Sequence, residues 1–482
     1  MQFILALHMC AAAALAFYAA HQVVLLVLYL GAQRRGFTQK RAAHASEILP
    51  PVLVQLPLYN ERFMARRIIE AVAAFDYPRD LLHIQVLDDS TDDTRDIVRD
   101  AANAARARNV DITVVQRNDR NGFKAGALAH GMALAPARDG ELIAIFDADF
   151  IPAPDFLQRV LVECSAFANP RIGFVQTRWD FLNRDENIIT RAQALVLDMH
   201  FVIEQTARST AGLPMAFNGS GGLWRRTCID DAGGWHDDTL TEDLDLSYRA
   251  EMRGWCGLYL PNERSPSDLP SDVLAYKRQQ ARWARGSLQT VRKLTTTLLR
   301  SPLQAHQKAA GIMHLTGYFV HPLILLTTLT TPLLLLHPTP TSGVAGSIGL
   351  LSAAPLLSMA IAAAARRRTP LQFVRDLPPA LLLGIGVAFS NTVAMAHALR
   401  THETGEFART PKSASGTAHP YYRLRPDWTM WAEFSLALYA VGAVALLAWS
   451  GTWQLAAPVL FYAAGYGGVW AAQIRNSTSE VR

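Results

Sequence analysis

The sequence predicts an α/β domain, built on a parallel-rich sheet flanked by helices, together with an all-α transmembrane region. In residues 34–310, which have the composition of a globular domain, short apolar runs alternate with helix-like stretches. Residues 1–33 contain no Asp, Glu, Lys or Arg, and residues 311–482 alternate long apolar runs with short basic segments. Alternating strands and helices favour right-handed crossovers and a parallel sheet, whereas long apolar runs favour membrane helices.

The first element is an apolar run over residues 2–31, which is long enough to cross a bilayer. It lacks the basic start of a signal peptide. Several Lys and Arg residues follow between 34 and 41, and the positive-inside rule then places the N-terminus outside and the following chain in the cytosol. We therefore predict one transmembrane helix over residues 1–33.

Short apolar, β-branched runs alternate with helix-like stretches in the domain that we place at residues 50–300. The strands are predicted at Val52–Leu56, His83–Leu87, Asp111–Val115, Leu142–Phe146 and Ile172–Gln176. The helices are predicted at Arg62–Phe75, Asp93–Arg108, Lys124–Ala135 and Asp155–Ala168. Because ligands of such sheets bind beyond the carboxyl ends of the strands, the residues that follow the strands are the first candidates for a site.

The residues at two of these strand ends are acidic. Asp88 and Asp89 end the second strand, and Asp147 and Asp149 end the fourth. Paired carboxylates suit a hard divalent cation, which also binds substrate phosphates. The strand ends therefore predict a nucleotide–diphosphate site bridged by metal, with helix capping as the alternative explanation for both pairs.

Two further motifs lie in the second half of the domain. Glu242 and Asp243 open a predicted helix, where acids also complement the helix dipole. Gln279, Arg282 and Trp283 share one helix face. Arginine offers a fork of donors for phosphate, and tryptophan offers an apolar platform for a sugar ring. An amphipathic helix at a membrane surface is the alternative explanation for this last group.

The four motifs occur in the order D, DxD, ED and QxxRW. This order resembles the membrane-bound processive family-2 glycosyltransferases, which include the cellulose, chitin and hyaluronan synthases. The match covers residues 50–300 and includes the segments Gln55–Asn60, Asn121–Gly126, Val175–Trp179 and Asn218–Gly222. The chain looks most similar to the plant cellulose-synthase-like A group, the mannan and glucomannan synthase type. The resemblance implies a GT-A glycosyltransferase domain that uses Mg²⁺ or Mn²⁺.

The resemblance also implies a role for each motif residue. Asp243, with Glu242 beside it, is the implied catalytic base. Binding of the nucleotide sugar is implied for Asp88, Asp89, Lys124, Asp147, Gln279, Arg282 and Trp283. Metal binding is implied for Asp147 and Asp149, and acceptor binding for Trp283, Asn218 and Gly219.

The C-terminal part, residues 301–482, is predicted to hold four spanning helices and one interfacial helix. Its apolar runs occur at about 311–336, 343–364, 376–399, 429–449 and 453–473. Basic residues flank 376–399 on both sides, so we predict that this run lies along the cytosolic surface. The alternative is that it crosses the membrane.

The segment 403–415 resembles the gating loop of cellulose synthases, with Phe407, Thr410 and Lys412 in the expected places. Arg409 stands where that family has valine. In the family this loop closes over the nucleotide from the cytosol. A mobile, basic surface loop is the alternative explanation.

The combined prediction is an inverting, processive glycosyltransferase that moves a hexose from GDP-mannose or UDP-glucose to a growing β-1,4-linked polysaccharide. The partners expected are this donor, a polysaccharide or lipid acceptor, and membrane lipids. A non-processive transferase with a lipid acceptor is the first alternative, and a nucleotide-sugar-binding membrane carrier is the second. No nucleic-acid partner is expected, because the net charge is only +5 and no nucleic-acid-binding motif is present. We expect a multi-pass protein of a bacterial inner membrane or a Golgi-type membrane, with its catalytic domain in the cytosol.

Overall fold

A computed structural model describes residues 1–36, 49–336, 353–400 and 425–478. The domain predicted at residues 50–300 contains seven strands: β1 Val52–Leu58, β2 Leu82–Asp88, β3 Ile112–Val115, β4 Leu142–Ile145, β5 Ile172–Phe181, β6 Gly222–Arg225 and β7 Cys256–Ser267. They form one sheet in the order β3-β2-β1-β4-β6-β5-β7.

The sheet is mostly parallel, as predicted. β1 pairs in parallel with β2 and β4, β2 pairs with β3, and β5 pairs with β7. β6 runs antiparallel to β4 and β5. The sequence did not predict β6, which has only four residues, or β7, which contains Pro261 and Pro266. Because β7 lies at the edge of the sheet, it tolerates proline without losing ladder bonds on both sides.

Helices cover both faces of the sheet. They are α2 Ala65–Ala73, α3 Thr94–Arg106, α4 Phe123–Leu134, α5 Phe156–Gln158, α6 Ile188–Asp198, α7 Gln205–Thr210, α8 Arg226–Asp231, α9 Glu242–Met252 and α10 Val273–Arg300. Successive strand residues face opposite sides, so Val54 packs with α2 and α3 while Leu53 packs with α4 and α8. The helix predicted over Asp155–Ala168 is shorter, since α5 continues as a π-helical turn and Ser165 then adopts φ 44°.

Further helices form the N-terminal and C-terminal parts of the chain. They are α1 Gln2–Arg34, α11 Ala305–Leu315, α12 Val320–Leu336, α13 Ala354–Ala365, α14 Pro370–Gly386, α15 Ala388–Arg400, α16 Thr429–Trp449 and α17 Ala457–Thr478. Within the described ranges, four stretches are long and apolar enough to cross a membrane: Gln2–Arg34, Gly317–Leu336, Pro370–Arg400 and Thr429–Trp449. These helices support the predicted membrane protein, while the number and direction of the spans stay predictions.

The run predicted to be interfacial, 376–399, falls within α14 and α15. α14 packs against α6 of the catalytic domain, where Arg191 Nε lies 3.1 Å from Asp376 Oδ1. Leu195 of α6 and Ala380 of α14 are buried in one apolar cluster. The contact ties this helix to the catalytic domain, and its position relative to the bilayer stays a prediction.

Helix α10 connects the catalytic domain to the membrane helices. It begins at Asp272, whose side chain accepts a hydrogen bond from Ala275 N at 2.8 Å and so caps the helix. Over its 28 residues it contacts α9, α15 and α17. It also carries Gln279, Arg282 and Trp283, so the QxxRW motif sits between the sheet and the membrane region.

Candidate active site

Lys124 lies at the centre of a cluster formed by four parts of the catalytic domain. It stands in the first turn of α4, and its Nζ donates to Asp147 Oδ1 at 2.6 Å and to the Gly219 carbonyl at 2.9 Å. Glu242 Oε1 lies 3.8 Å from the same nitrogen. Burial disfavours the ammonium, but Asp147, Glu242 and Asp243 outweigh it and raise the pKa of Lys124 above its ordinary value. Lys124 is therefore a fixed cation among carboxylates.

Asp243, the predicted base, is the second residue of α9. Burial raises the pKa of its carboxyl to about 7; the charge of Glu242 acts in the same direction, and Lys124 opposes both. Leu244 N donates to Asp243 Oδ1 at 2.8 Å, which orients the carboxylate. A carboxyl that titrates near neutral pH is suited to general-base catalysis, because it is deprotonated and still basic.

Gly219 brings the backbone against the carboxylate of Asp243. Its φ is +80°, and a Cβ placed on it would lie 2.9 Å from Asp243 Oδ2 and 3.4 Å from Lys124 Nζ. Any side chain there would face both backbone strain and a contact with the base. The predicted acceptor residue Gly219 is thus next to the two charged groups that matter most for transfer.

Arg282 of α10 belongs to the same cluster. Burial lowers the pKa of its guanidinium, and four carboxylates of the site act in the opposite direction: Glu242, Asp147, Asp243 and Asp149. The structure therefore brings together the predicted DxD, ED and QxxRW motifs, which are far apart in the chain. Of the other two motif residues, Gln279 is buried and Trp283 is half-buried on the same helix. Their contacts with substrate stay predictions.

Helix α10 also holds the turn that leads into Asp243. At Gly286 a Cβ would lie 2.7 Å from Thr241 Cγ2 and 3.0 Å from the backbone of Leu240. Gln289 Oε1 accepts from Leu240 N at 2.9 Å, and the Thr290 and Thr241 hydroxyls lie 3.0 Å apart. Sequence reasoning missed these α10 residues, although they continue the helical face of the QxxRW motif toward its C-terminal end.

Asp88 and Asp89 have different surroundings. Asp88 is buried and accepts from Ser90 N at 3.0 Å and from Gln116 Nε2 at 3.3 Å. Asp89 is paired with Arg117, whose Nε donates to Asp89 Oδ1 at 2.9 Å. The predicted nucleotide contacts of both acids stay predictions.

Arg117 is a residue that the sequence reasoning missed. Besides pairing with Asp89, it donates to the carbonyls of Asn121 at 2.7 Å and Phe123 at 3.0 Å. These carbonyls belong to the turn that precedes Lys124, so the ion pair of Asp89 and Arg117 shapes the entry into α4. A cation just after β3, opposite the two acids that end β2, is the sequence signal that could have indicated this pair.

The remaining predicted site residues fall into two groups. Asn218 is half-buried, and its side chain contacts Gln205 at 2.5 Å and His200 at 3.1 Å. The gating-loop segment 403–415, with Phe407, Thr410 and Lys412, lies outside the described residues.

A second acidic group lies away from this cluster. His236, Asp238 and Asp245 have ligand atoms within 4.8 Å of one another. Lys293 Nζ lies 2.9 Å from His236 Nδ1, 2.6 Å from Asp238 Oδ1 and 3.0 Å from Asp245 Oδ1. Because an ammonium already occupies the middle of this group, it is an ion-pair cluster and a poor candidate for a metal site.

Comparison with known proteins shows what this domain is similar to. Residues 50–286 match the family model described as "Glycosyltransferase like family 2". Over these residues the chain is similar to the family-2 glycosyltransferases. Curated relatives of this domain include glucomannan 4-beta-mannosyltransferase 2 of Arabidopsis thaliana, 40% identical over 280 residues that cover 58% of this chain and 52% of the relative. Glucomannan 4-beta-mannosyltransferase 1 of Oryza sativa subsp. japonica is 42% identical over 253 residues, 52% of this chain and 48% of the relative.

The chain spans about half the length of the curated relatives it matches. Among solved structures, the mannosyltransferase PcManGT from Pyrobaculum calidifontis in complex with GDP-Man and Mn2+ aligns with a TM-score of 0.53. The alignment covers 81% of this chain and 99% of that one at 21% sequence identity. At this identity the likeness concerns the fold, and it confirms the predicted GT-A architecture.

The family-model match over residues 50–286 agrees with the predicted glycosyltransferase class, and the structural alignment agrees with the predicted GT-A fold. The motif residues Lys124, Asp147, Glu242, Asp243 and Arg282 occupy one site at the carboxyl ends of the strands, as the parallel sheet requires. The individual roles assigned to these residues stay predictions.

Proposed function

We propose that this protein is an inverting, metal-dependent β-1,4-mannosyltransferase that uses GDP-mannose to extend a membrane-associated polysaccharide. The curated relatives, named glucomannan 4-beta-mannosyltransferases, favour mannose over glucose as the transferred sugar. The candidate membrane helices favour synthesis at a membrane. The observation that carries the proposal is the position of Asp243, a carboxyl with a pKa of about 7, beside Lys124 and Arg282.

This arrangement fits a single displacement at the anomeric carbon. Asp243 takes the proton from an acceptor hydroxyl as its oxygen bonds to the anomeric carbon, and the bond from that carbon to the diphosphate oxygen breaks. The electron pair leaves with the nucleoside diphosphate, and the configuration inverts. No enzyme nucleophile is needed, and a pair of carboxylates across a glycosidic bond, which a hydrolase uses, is not required.

Lys124 and Arg282 are the cations that would face the diphosphate. Both are fixed by the carboxylates around them, so little reorganisation is needed when charge develops on the leaving group. Trp283, on the same helix as Arg282, would offer its ring to the acceptor sugar. Asn218 and Gly219 would line the acceptor side next to Asp243.

The charges of the site fit a divalent cation. Among the residues that the structure describes, four carboxyl groups (Asp147, Asp149, Glu242 and Asp243) lie with two cations (Lys124 and Arg282), so the acids outnumber the cations. Asp147 and Asp149, at the end of β4, would hold Mg²⁺ or Mn²⁺. Such an ion offsets the charge that develops on the leaving diphosphate.

The test is a donor screen with purified protein in detergent. GDP-mannose, GDP-glucose, UDP-glucose and UDP-N-acetylglucosamine are offered separately, with Mg²⁺, with Mn²⁺ or with chelator, and nucleotide release is measured. We expect metal-dependent release from GDP-mannose and a product that a β-mannanase degrades. Asp243→Asn is the matched control and should release no nucleotide above background.

Other outcomes point to the alternatives. Donor turnover with mannose found only on lipid would replace the polysaccharide synthase with a lipid mannosyltransferase. Turnover of UDP-glucose alone would overturn the sugar assignment. Binding of a donor without any release, with and without metal, would contradict the enzyme and favour a nucleotide-sugar-binding protein.

A further inference from the structure

A chain of half-buried and buried polar side chains extends from the acceptor side of the site toward α1. It starts at Asn218 and continues through His200, Glu204 and Arg208. Arg208 is fully buried, and its Nη2 lies 3.3 Å from His21 Nε2 of α1. Of these four residues, only Asn218 belongs to the proposed acceptor side of the site.

The direction of the first hydrogen bonds is fixed by a backbone carbonyl. Gln205 Nε2 lies 2.9 Å from the Ala216 carbonyl, which can only accept, so this atom must be the amide nitrogen. The same nitrogen lies 2.5 Å from Asn218, which must therefore present its Oδ1 there. The Nδ2 of Asn218 is then the atom that faces His200 Nε2 at 3.1 Å.

This direction determines the proton on the imidazole of His200. Asn218 Nδ2 donates, so His200 Nε2 must accept and carries no proton. Nδ1 then carries the proton and donates to Glu204 Oε2 at 3.0 Å. Arg208 Nε donates to the other oxygen, Glu204 Oε1, at 2.8 Å.

Glu204 is held as a carboxylate, which suits this direction. Burial alone would raise its pKa, but Arg208 and the hydrogen bond from His200 outweigh burial and hold the pKa of Glu204 well below its ordinary value. An anchored carboxylate at Nδ1 stabilises the tautomer that leaves Nε2 as the acceptor.

Asn218 is linked by its backbone to the reacting groups. Its own N–H donates to Gln176 Oε1 at 2.8 Å. The next residue, Gly219, accepts from Lys124 and lies against Asp243 Oδ2. A shift of Asn218 would therefore move the backbone that contacts both the base and the cation of the site.

We infer that His200 is a positioning residue for the transfer reaction: as the Nδ1-protonated tautomer, it anchors Asn218 so that Gly219 stays against Asp243 and Lys124. The inference rests on the proposed function for its catalytic consequence. Its structural content, the direction of the hydrogen bonds, stands without it.

Protonation of His200 would break this arrangement, because an Nε2–H would then face the N–H of Asn218. The charged and titratable groups around it are Glu204 and Arg208 on the same helical segment, His21 of α1, and His314 of α11, which contacts Tyr248 of α9 at 2.9 Å.

Two substitutions of His200 test its two hydrogen-bonding roles separately, as hydrogen-bond acceptor from Asn218 and as hydrogen-bond donor to Glu204. His200→Gln retains an acceptor at the ε position for Asn218, whereas His200→Asn retains a donor at the δ position for Glu204 and loses the acceptor. We expect kcat of the Gln variant to stay within about threefold of wild type and kcat of the Asn variant to fall about tenfold to a hundredfold. Equal activities in two variants of equal Tm would overturn the inference, because a purely structural role would not distinguish them.

Asn218→Asp provides the opposite test. The carboxylate introduced at position 218 can only accept hydrogen bonds, so it needs a proton on His200 Nε2. This variant should therefore favour the doubly protonated imidazole of His200. The ratio of its turnover to that of wild type should rise as the pH falls from about 8.5 to about 5.5. The double variant Asn218→Asp, His200→Gln is the control, because it has the same added carboxylate near Asp243 but no imidazole. An identical pH dependence in the single and double variants would contradict the inference.

The same pH dependence can be measured through stability if a variant has no measurable turnover. Tm is measured across this pH range for wild type, Asn218→Asp, His200→Gln and the double variant. We expect the stability of Asn218→Asp relative to wild type to improve as the pH falls, and His200→Gln to abolish that pH dependence. If the wild type turned over none of the sugar donors, the proposed function alone would be contradicted. If the Tm difference between Asn218→Asp and wild type did not depend on pH, the inferred hydrogen-bond direction would be contradicted.

Discussion

Two lysine–carboxylate clusters in this protein differ in charge balance. At the junction of α10 with α16 and α17, Lys277 Nζ lies 2.8 Å from Glu433 Oε1, and it donates to Gln473 Oε1 at 3.1 Å. Gln473 in turn donates to Glu433 Oε2 at 2.8 Å. Here one buried cation meets one buried anion, and an amide completes the hydrogen bonds.

The cluster around Lys124 lacks that balance. Asp147, Glu242 and Asp243 all act on this one ammonium, and the pKa of Asp243 is raised to about 7. A charge-balanced ion pair needs no ligand, whereas an excess of carboxylates is stabilised when a cation binds. Charge balance, more than burial, therefore distinguishes the Lys277 cluster from the Lys124 cluster at the candidate active site.

The largest effect is expected from Asp243→Asn. Removal of the base should lower turnover about a thousandfold, while Tm stays the same or rises because one of the crowded carboxylates is gone. Nucleotide release and thermal unfolding measure the two effects. Asp427→Asn is the matched control, since this acid lies 3.6 Å from Lys277 and is exposed. Polymer formation by Asp243→Asn at the wild-type rate would remove Asp243 as the base.

In the balanced cluster, Lys277→Met should act on stability. It leaves Glu433, which is fully buried, without its cation, so we expect a loss of about 3–5 kcal/mol in the free energy of unfolding. The double variant Lys277→Met, Glu433→Leu should recover most of it, because no unpaired charge remains. Lys124→Met should instead abolish turnover, and its loss of Tm should be reversed by Mn²⁺, because a bound divalent cation can replace the missing charge among the carboxylates. If Mn²⁺ failed to raise the Tm of Lys124→Met, or raised that of Lys277→Met equally, the distinction between the clusters would fail.

A smaller effect is expected where α10 meets the turn before Asp243. Gly286→Ala places a Cβ against Thr241 and Leu240, which should cost about 1–3 kcal/mol and lower kcat about tenfold. Gly384→Ala in α14 is the matched control, because a Cβ there meets nothing within 4 Å. Both variants are compared by turnover and by Tm. Wild-type turnover of Gly286→Ala would show that α10 does not constrain the base.

The pH dependence should follow Asp243. The base acts as a carboxylate, so turnover should fall about tenfold per pH unit below the pKa of Asp243. That pKa is about 7 without metal, and a divalent cation bound at Asp147 and Asp149 should lower it, so the turnover midpoint should lie below 7. For stability the sign is opposite. Because the folded pKa is raised from 3.8 to about 7, this carboxyl stabilises the metal-free fold at low pH, and that contribution is lost as the pH rises through about 7. Asp243→Asn should remove both dependences, and a turnover profile flat below pH 7 would contradict the assignment.

Much of the catalytic fold could be predicted from the sequence because its strands are strongly patterned. The five predicted strands are present, since each is a short apolar run between polar turns. β6 and β7 could not be predicted in this way. β6 has only four residues, which is too few to show an alternating apolar pattern. β7 contains prolines, which are compatible with a strand at the edge of a sheet, and its edge position is known only from the structure.

The site was predictable to the extent that its chemistry lies in motifs. Asp147, Asp243 and Arg282 come together because the strand ends and α10 meet at one edge of the sheet. Gly286 and His200 could not be found, because their roles arise from approaches between elements far apart in the chain. A glycine in a helix or a histidine on a helix face carries no such information until the neighbouring element is placed.

Helix α10 joins the two clusters as a rigid rod. Lys277 is tied to α16 and α17, and Gly286 lies against the turn before Asp243, nine residues or about 14 Å further along the same helix. A tilt of α16 and α17 would therefore also move the turn before Asp243 relative to the sheet that Lys124 faces. Through this one helix, the packing of the C-terminal helices is coupled to the position of the predicted base.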